Sequence, residues 1–308
     1  MKIYRSLDNI PEIPFPVVSM GTFDGVHIGH QTIIKKVKEC AQKNNGESVV
    51  ITFDPHPRIA LHLDEENLKL LTSLKEKIYL FERNKIDNLI ILPFTKEFSE
   101  LSANDFIKDY IVGRLKTKIL VIGYDHHFGN NRKADPESIY ELSKKYNFDI
   151  EKVGQQKVLG HSISSTKIRD ALVAGDIEKA NELLGYEYVL SGEVIYGNQI
   201  GRTIGFPTAN IFNDNRLKQI PANGVYAVKV NVENKIYTGM CNIGVRPTID
   251  HGDLTVEINI FDFDKDIYGE KITVFFYKRI RSEKKFPNIT ALKEQLAKDK
   301  EEILKLKL

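Results

Sequence analysis

Along the first half of the chain, short unbroken apolar runs alternate with segments whose apolar positions recur at helical spacing. Phe15-Pro16-Val17-Val18-Ser19-Met20, Ser48-Val49-Val50-Ile51-Thr52-Phe53, Asn88–Leu92 and Ile119–Ile122 are the runs. Short and rich in β-branched residues, they read as strands buried on both faces. Gln31–Lys38, Ser73–Phe81 and Ser102–Tyr110 carry the helical pattern, and a further helix opens at Asp135-Pro136-Glu137, where cap and first-turn proline agree. Two more helices run through Leu172 and over Ile177–Leu184, with Gly185 placed to end the second. The alternation predicts an α/β domain with a doubly wound, Rossmann-like parallel sheet.

From Tyr186 the texture changes. Strand-like stretches at Tyr188–Ile195, Gly224–Val232, Ile236–Asn242, Thr255–Phe261 and Lys271–Tyr277 are parted by turn signals such as Glu233-Asn234 and Tyr268-Gly269. A helix from about Ile289 to Leu306 follows. This predicts a small antiparallel β-barrel or sandwich finished by a helix, and a boundary near Gly185 dividing the chain into 1–185 and 186–308.

Composition narrows the class. A length of 308 residues suits two domains, and 42% apolar with 28% charged residues suits ordinary packed cores. A net charge of +2 gives no general affinity for nucleic acid or anionic membrane. Two cysteines, Cys40 and Cys241, lie far apart, which argues against a disulfide framework and for a reducing compartment. The first residues lack the apolar core of a signal peptide, and no apolar run has the length of a membrane span. A cytoplasmic protein with neither nucleic-acid nor membrane partners is the expectation.

In a parallel sheet the ligand crevice lies beyond the carboxyl ends of the strands, and polar clusters fall there. Gly21-Thr22-Phe23-Asp24-Gly25-Val26-His27-Ile28-Gly29-His30 forms a strand-to-helix corner. Its free N–H groups and helix dipole favour phosphate, and His27 and His30 stand one turn apart. No metal-ligand pattern accompanies them. Thr52-Phe53-Asp54-Pro55-His56-Pro57 is a stiff loop, its prolines bracketing His56. Gly123-Tyr124-Asp125-His126-His127-Phe128-Gly129 follows another strand. In Ile163-Ser164-Ser165-Thr166-Lys167-Ile168-Arg169, Ser165 is placed as an N-cap, and the hydroxyls, Lys167 and Arg169 offer a second phosphate cradle. Taken one at a time, these segments are equally well explained as turns and caps.

In the second half, Gly197–Thr203 imitates a P-loop but has the wrong glycine spacing and Arg202 in place of lysine. Gly205-Phe206-Pro207-Thr208-Ala209-Asn210 is more specific: Thr208 and Asn210 point to one side of an extended chain and offer hard oxygen ligands suited to magnesium and polyphosphate. In Val256-Glu257-Ile258-Asn259-Ile260, Glu257 and Asn259 share the face opposite the aliphatic residues. Asp262, Asp264 and Asp266 begin like a calcium loop, but Ile267 and Thr273 stand where glycine and glutamate are required. Asn242-Ile243-Gly244-Val245-Arg246-Pro247-Thr248 and Arg281-Ser282-Glu283-Lys284-Lys285-Phe286 complete the candidates.

Together these motifs resemble one family. G-T-F-D-G-V-H-x-G-H is similar to the nucleotidyltransferase signature carried by prokaryotic bifunctional riboflavin kinase/FAD synthetases, and so are T-F-x-P-H-P and I-S-S-T-x-I-R. The third motif departs from the family's G-x-D-F-x-F-G, with His126 in place of the first aromatic and His127 at a variable position. G-R-T-I-G-F-P-T-A-N resembles the riboflavin kinase signature, and Glu257 matches a catalytic glutamate within V-E-x-H-like sequence, with Asn259 in place of the histidine.

The resemblance implies that the C-terminal domain phosphorylates riboflavin with magnesium ATP, giving FMN and ADP. The N-terminal domain would then adenylylate FMN to FAD, releasing pyrophosphate. His27, His30, Arg169 and Glu257 are implied as catalytic. Gly21, Phe23, Asp24, Gly29, His56, Asp125, Ser164, Ser165, Thr166, Gly201, Arg202, Asn242, Arg246 and Arg281 are implied as binding residues. Thr208 and Asn210 would hold both nucleotide and Mg2+. Two alternatives stay open: an adenylyltransferase for another phosphorylated acceptor, and a catalytically silent flavin-binding regulator.

Overall fold

The computed structural model describes residues 1–8, 10–63, 68–124, 136–155, 157–158, 161–197, 200–245 and 254–308. Two compact units emerge, the first from Met1–Leu68 with Leu74–Ser164, the second from Lys69–Ser73 with Ser165–Leu308.

The first unit runs β1 (Lys2–Tyr4), β2 (Val17–Met20), α1 (Ile28–Lys43), β3 (Ser48–Phe53), the single turn α2 (Pro57–Ala60), α3 (Leu74–Arg83) and β4 (Asn88–Leu92). The short α4 (Lys96–Ser99) and α5 (Ala103–Asp105) lead into a π-helical segment, Phe106–Arg114, followed by β5 (Ile119–Gly123), α6 (Pro136–Tyr146), β6 (Asp149–Val153) and a hairpin of β7 (Lys157–Val158) and β8 (His161–Ser162). Six strands pair in the order β1-β4-β3-β2-β5-β6, every pairing parallel. Residues alternate between the faces: Val17, Ile119 and Val121 pack with Val37, Cys40 and Ala41 of α1. Val18, Met20, Leu120 and Ile122 pack instead against Phe106, Ile107 and Ile111. β3 lies on one side of β2 and β5 on the other, so the order reverses at β2, directly before the Gly21–His30 motif.

The helix predicted over Ser102–Tyr110 begins as one, with the Ser102 hydroxyl accepting from the Asp105 N–H at 3.0 Å, but continues with π winding. The buried positions Phe106, Ile107, Ile111 and Leu115 recur at a spacing wider than an α-turn, which π winding brings to one side. Strands β1 and β6, absent from the sequence reading, are edge strands with half-polar patterns. α6 opens on Pro136 as predicted.

The second unit holds α7 (Ser165–Ala174), α8 (Ile177–Leu184) and a closed barrel, with α10 (Ile289–Lys305) after it. The barrel order is β10 (Ala209–Phe212), β13 (Leu254–Ile260), β12 (Lys235–Val245), β11 (Gly224–Val232), β14 (Lys271–Arg281) and β9 (Tyr188–Ile195), all antiparallel; the turn α9 (Ile200–Thr203) lies between β9 and β10. Gly185 ends α8 in the left-handed conformation, φ 77°, its N–H bonded to Asn181 O at 2.7 Å. The Asn181 amide donates to Phe276 O at 2.8 Å and accepts from Tyr188 N at 2.7 Å, tying α8 to the barrel. Compactness therefore divides the chain at Ser164/Ser165, upstream of Gly185. Lys69–Ser73 joins the second unit through Leu70 N–H to Leu217 O at 2.6 Å and the buried Lys218 ammonium to Leu71 O at 2.6 Å.

One barrel face is lined by Tyr226, Cys241, Ile258 and Phe276, all fully buried. On the other face Val225, Ala227 and Met240 pack beneath Ile303 of α10.

Candidate functional site

At the first corner, the ladder of β2 extends one residue, Gly21 N–H donating to Ile51 O at 3.0 Å, before the chain turns. Phe23, Gly25 and Val26 all have positive φ, 47°, 80° and 36°. Two of these are not glycine, and conformations that L residues avoid are held here by burial: the Phe23 and Val26 side chains are enclosed, and Phe23 meets Phe81 edge-on at 5.5 Å.

His27 is the N-cap of α1, its Nδ1 accepting from the His30 N–H at 3.4 Å. Accepting at Nδ1 leaves the proton of the neutral ring on Nε2. The two imidazoles stack at 3.7 Å and 13°. A Cβ on Gly29 would come within 3.2 Å of the His27 ring, so glycine there makes room for the stack. His30 Nδ1 is buried and has no hydrogen-bond partner among the described residues. Burial, and then the neighbouring His27 and Lys77, hold the His30 pKa well below the usual imidazole value. The corner is thus a stacked pair of imidazoles at a helix N-terminus, with the buried His30 ring biased toward its neutral form.

Sequence reasoning missed Lys77. On α3 it is only 6% exposed, and its ammonium donates to Thr22 O at 2.8 Å. The Thr52 hydroxyl donates to the same carbonyl at 3.2 Å. Burial lowers the Lys77 pKa while Asp24 and Asp54 oppose the shift, so a cation anchors the loop from beneath. The available signal was helical spacing, since Lys77 stands on the side of α3 that buries Leu80 and Phe81.

His56 caps α2, its Nδ1 accepting from Arg58 N–H at 3.2 Å. Beside it the sequence reading overlooked an aromatic wall at the ends of β3 and β4: Phe53 lies 5.4 Å from Phe94 and 5.6 Å from Phe98. Asp125, with His126 and His127, lies outside the described residues. Ser164 closes the first unit, whereas Ser165, Thr166 and Arg169 belong to the second. Helix α7 starts at Ser165, which puts Ser164 at the flanking cap position. The Arg169 Nε donates to Lys69 O.

The barrel gathers its candidates by register. Asn210 on β10 and Asn242 on β12 both lie directly opposite Glu257 on β13, and residues facing each other in antiparallel strands project to the same side. One carboxylate is therefore flanked by two carboxamides, on the face away from Cys241. A Cβ on Gly197 would overlap the Asn210 amide, so the amide seats against a bare backbone. Gly201 O accepts from Phe206 N–H at 2.8 Å, closing the turn that leads to Thr208.

Arg202, Pro207 and Thr208 line a cavity of about 370 Å3 whose other walls include Ile258, Phe263 and Tyr268. Its lining mixes aliphatic and aromatic side chains with the charged Arg202, Asp264, Lys265 and Asp266, the blend of apolar walls and a few polar groups usual in ligand sites. Arg281 is engaged elsewhere: its Nε and NH2 form a bidentate ion pair with the buried Asp299 of α10, at 2.9 Å and 2.8 Å. Glu283 of the same loop accepts from Asn223 at 3.3 Å, and a Cβ on Gly244 would overlap its carboxylate. Arg246 lies outside the described residues. Burial pushes the Cys241 thiol far up, with Glu257 adding to the shift, which leaves it inert.

Comparisons with known proteins agree with both halves. The FAD synthetase family model matches residues 12–167, and the riboflavin kinase model matches 184–307. A bifunctional riboflavin kinase/FMN adenylyltransferase of Buchnera aphidicola (from Schizaphis graminum) is 40% identical, covering 99% of this chain and 98% of its own. The Bacillus subtilis enzyme of that name is 41% identical (94% and 92% covered), and the Escherichia coli K12 enzyme 36% (97% and 96%). A solved Streptococcus pneumoniae structure described as a macrolide-efflux protein superposes with a TM-score of 0.87 at 34% identity, 97% of each chain covered. Among the described residues no helix is long and apolar enough to cross a membrane. With both sites and both family matches in one polypeptide, the chain belongs to the bifunctional riboflavin kinase/FMN adenylyltransferase family.

Proposed function

We propose that this chain converts riboflavin to FMN in residues 186–308 and FMN to FAD in residues 1–185, using ATP for both steps, in the cytoplasm. One observation carries the reading: the chain holds two chemically different sites, a stacked pair of histidines at a helix N-terminus and a carboxylate between two carboxamides.

In the kinase step, Glu257 takes the proton of the terminal ribityl hydroxyl, whose oxygen forms the new bond to the γ-phosphorus as ADP leaves. A positioned base of this kind contributes about 10²–10⁴-fold. The cavity beside Thr208 is assigned to the nucleotide. Thr208 and Asn210 fit a magnesium ion, because they offer neutral hard oxygens, and Mg2+ is held by few protein ligands together with phosphate oxygens. Among the described residues no cluster of three His, Cys, Asp or Glu competes for the metal. Bound there, magnesium would neutralise phosphate charge.

Adenylyl transfer needs no base. Its nucleophile is a phosphate oxygen of FMN that is already anionic; it attacks the α-phosphorus, and pyrophosphate leaves. The residues then have to position the triphosphate and spread its charge, roles assigned at the corner to His27, His30 and the N–H groups, with a charge-neutralising role for Arg169 assigned from the family resemblance of its motif. Gly21, Phe23, Asp24, Gly29 and His56 shape the corner pocket; nucleotide-binding roles for Ser164, Ser165 and Thr166 are assigned from the family resemblance of their motif. The Phe53–Phe94–Phe98 wall suits a flat flavin ring. Buried, unpaired Cys40 and Cys241 support a reducing compartment.

The test is chromatography of flavins after incubation of the purified protein with riboflavin, ATP and magnesium. FMN and FAD should both appear, with ADP and pyrophosphate; formation of neither flavin would overturn the reading.

A further inference from the structure

We propose that Asn259 is a positioning residue of the kinase half, a side-chain amide that fixes the peptide leading into Thr208 and so determines how well magnesium ATP is held. The inference rests on the kinase reading above.

The β10–β13 ladder pairs Asn210 with Glu257 and Ala209 with Ile258, and there it stops. Continued by one residue, the register would set Thr208 opposite Asn259. No backbone pairing is made at that point. Instead the Asn259 Nδ2 donates to Pro207 O at 2.7 Å. A backbone ladder is thus replaced, at its last step, by one side-chain bond. The peptide that joins Pro207 to Thr208 is thus held from β13 through its carbonyl.

Three features make the bond consequential. Asn259 is buried, at 6% exposure, so its geometry is set by packing, and its loss would take from the Pro207 carbonyl the bond that ties it to β13. It stands two residues from Glu257 on the same face of β13, and the strand that carries the base therefore also holds the loop that carries the hydroxyl. Pro207 and Thr208 both line the cavity beside Arg202, so a shift of this peptide moves the wall assigned to the nucleotide.

The experiment measures initial rates of riboflavin phosphorylation against magnesium ATP and, separately, against riboflavin. It uses the full chain as wild type, Asn259→Leu, Asn259→Ser and Asn259→His. Leucine keeps the volume and removes the donor, serine is too short to reach, and histidine restores a ring N–H. FMN adenylylation by the same preparations reports the amount of folded protein.

Asn259→Leu should raise KM for magnesium ATP and lower kcat/KM for it by up to about 10²-fold, the scale of small misplacements. KM for riboflavin should stay at its wild-type value, and Asn259→His should recover the nucleotide KM. If Asn259→Leu is insoluble, Asn259→Ser carries the same expectation. A variant with a wild-type KM for magnesium ATP, whatever its kcat, would show a merely structural residue and overturn the proposal. Wild-type protein unable to phosphorylate riboflavin would sink the kinase reading and this inference together, whereas an active wild type with unaffected variants sinks this inference alone.

Discussion

In the proposed function the corner at Gly21–His30 and the barrel face at Glu257 each hold a triphosphate, and they are built by opposite routes. At the corner, the candidate groups come from contiguous sequence and are bent into place by a left-handed turn, a buried phenylalanine and the Lys77 ammonium beneath. In the barrel they come from three separate strands, and register alone brings Asn210, Glu257 and Asn242 together. The corner offers donors; the barrel offers an acceptor between amides. That difference follows the nucleophile, since a phosphate oxygen needs no deprotonation and an alcohol does.

The largest effect that would break this comparison is Glu257→Gln, which keeps the shape and removes the base. Riboflavin phosphorylation should fall by about 10²–10⁴-fold, while adenylylation of supplied FMN continues. His30→Ala is the converse. FAD formation should fall by about 10²–10³-fold, the usual loss on removing one donor to developing charge, with riboflavin phosphorylation retained. Both products are read from one chromatogram. If either change stopped both reactions in folded protein, the division between a base-free and a base-dependent site would be wrong.

A smaller effect sharpens the comparison by separating anchors from site residues. Arg281 pairs with Asp299 while keeping 19% side-chain exposure, against 2% for Asp299. Removing one partner of a fully buried pair costs about 3–5 kcal/mol; the partial exposure of Arg281 brings the expectation for Asp299→Ala to about 2 kcal/mol. Thermal unfolding should show a lower midpoint for the barrel. Among the preparations that stay folded, KM for riboflavin should be unchanged, because the pair holds α10 to β14 and leaves Glu257 untouched.

How far sequence reaches differs between the two regions in the same way. The central parallel strands were legible because burial on both faces writes an unbroken apolar run. β1 and β6 were not, because an edge strand is half-polar. Strand β10 escaped notice because its four residues continue the P-T-A-N motif and carry no pattern of their own. His27, His30, Glu257, Asn210 and Asn242 were all named from sequence. That Asn210 and Asn242 flank Glu257 was not foreseeable, because it depends on how a barrel closes. Lys77 was hidden for another reason: a lysine in a helix is ordinarily solvated, and only its helical spacing from Leu80 and Phe81 hinted at burial. The alliance of Lys69–Ser73 with the second unit is a non-local pairing, Leu70 beside Lys218, which no local pattern announces.

The smallest expected effect tests the corner's electrostatics directly. In the unfolded chain His30 titrates near the ordinary value of about 6.5. In the folded chain burial, His27 and Lys77 hold its pKa well below that. Below about pH 6.5 the unfolded state therefore binds more protons at this site, and stability rises with pH wherever that is so. The contribution is complete above the unfolded pKa, is lost progressively as pH falls through it, and levels off once the folded His30 also protonates. Burial lowers the Lys77 pKa too, against the opposing pull of Asp24 and Asp54, and the His30→Asn comparison isolates the His30 contribution. Thermal midpoints measured between about pH 7.5 and 5.5 should fall for the wild type and fall less for His30→Asn, which keeps polarity and loses the titration. Equal slopes would mean that His30 titrates alike in the folded and unfolded chain, and burial at the corner would then not bias its ring toward the neutral form.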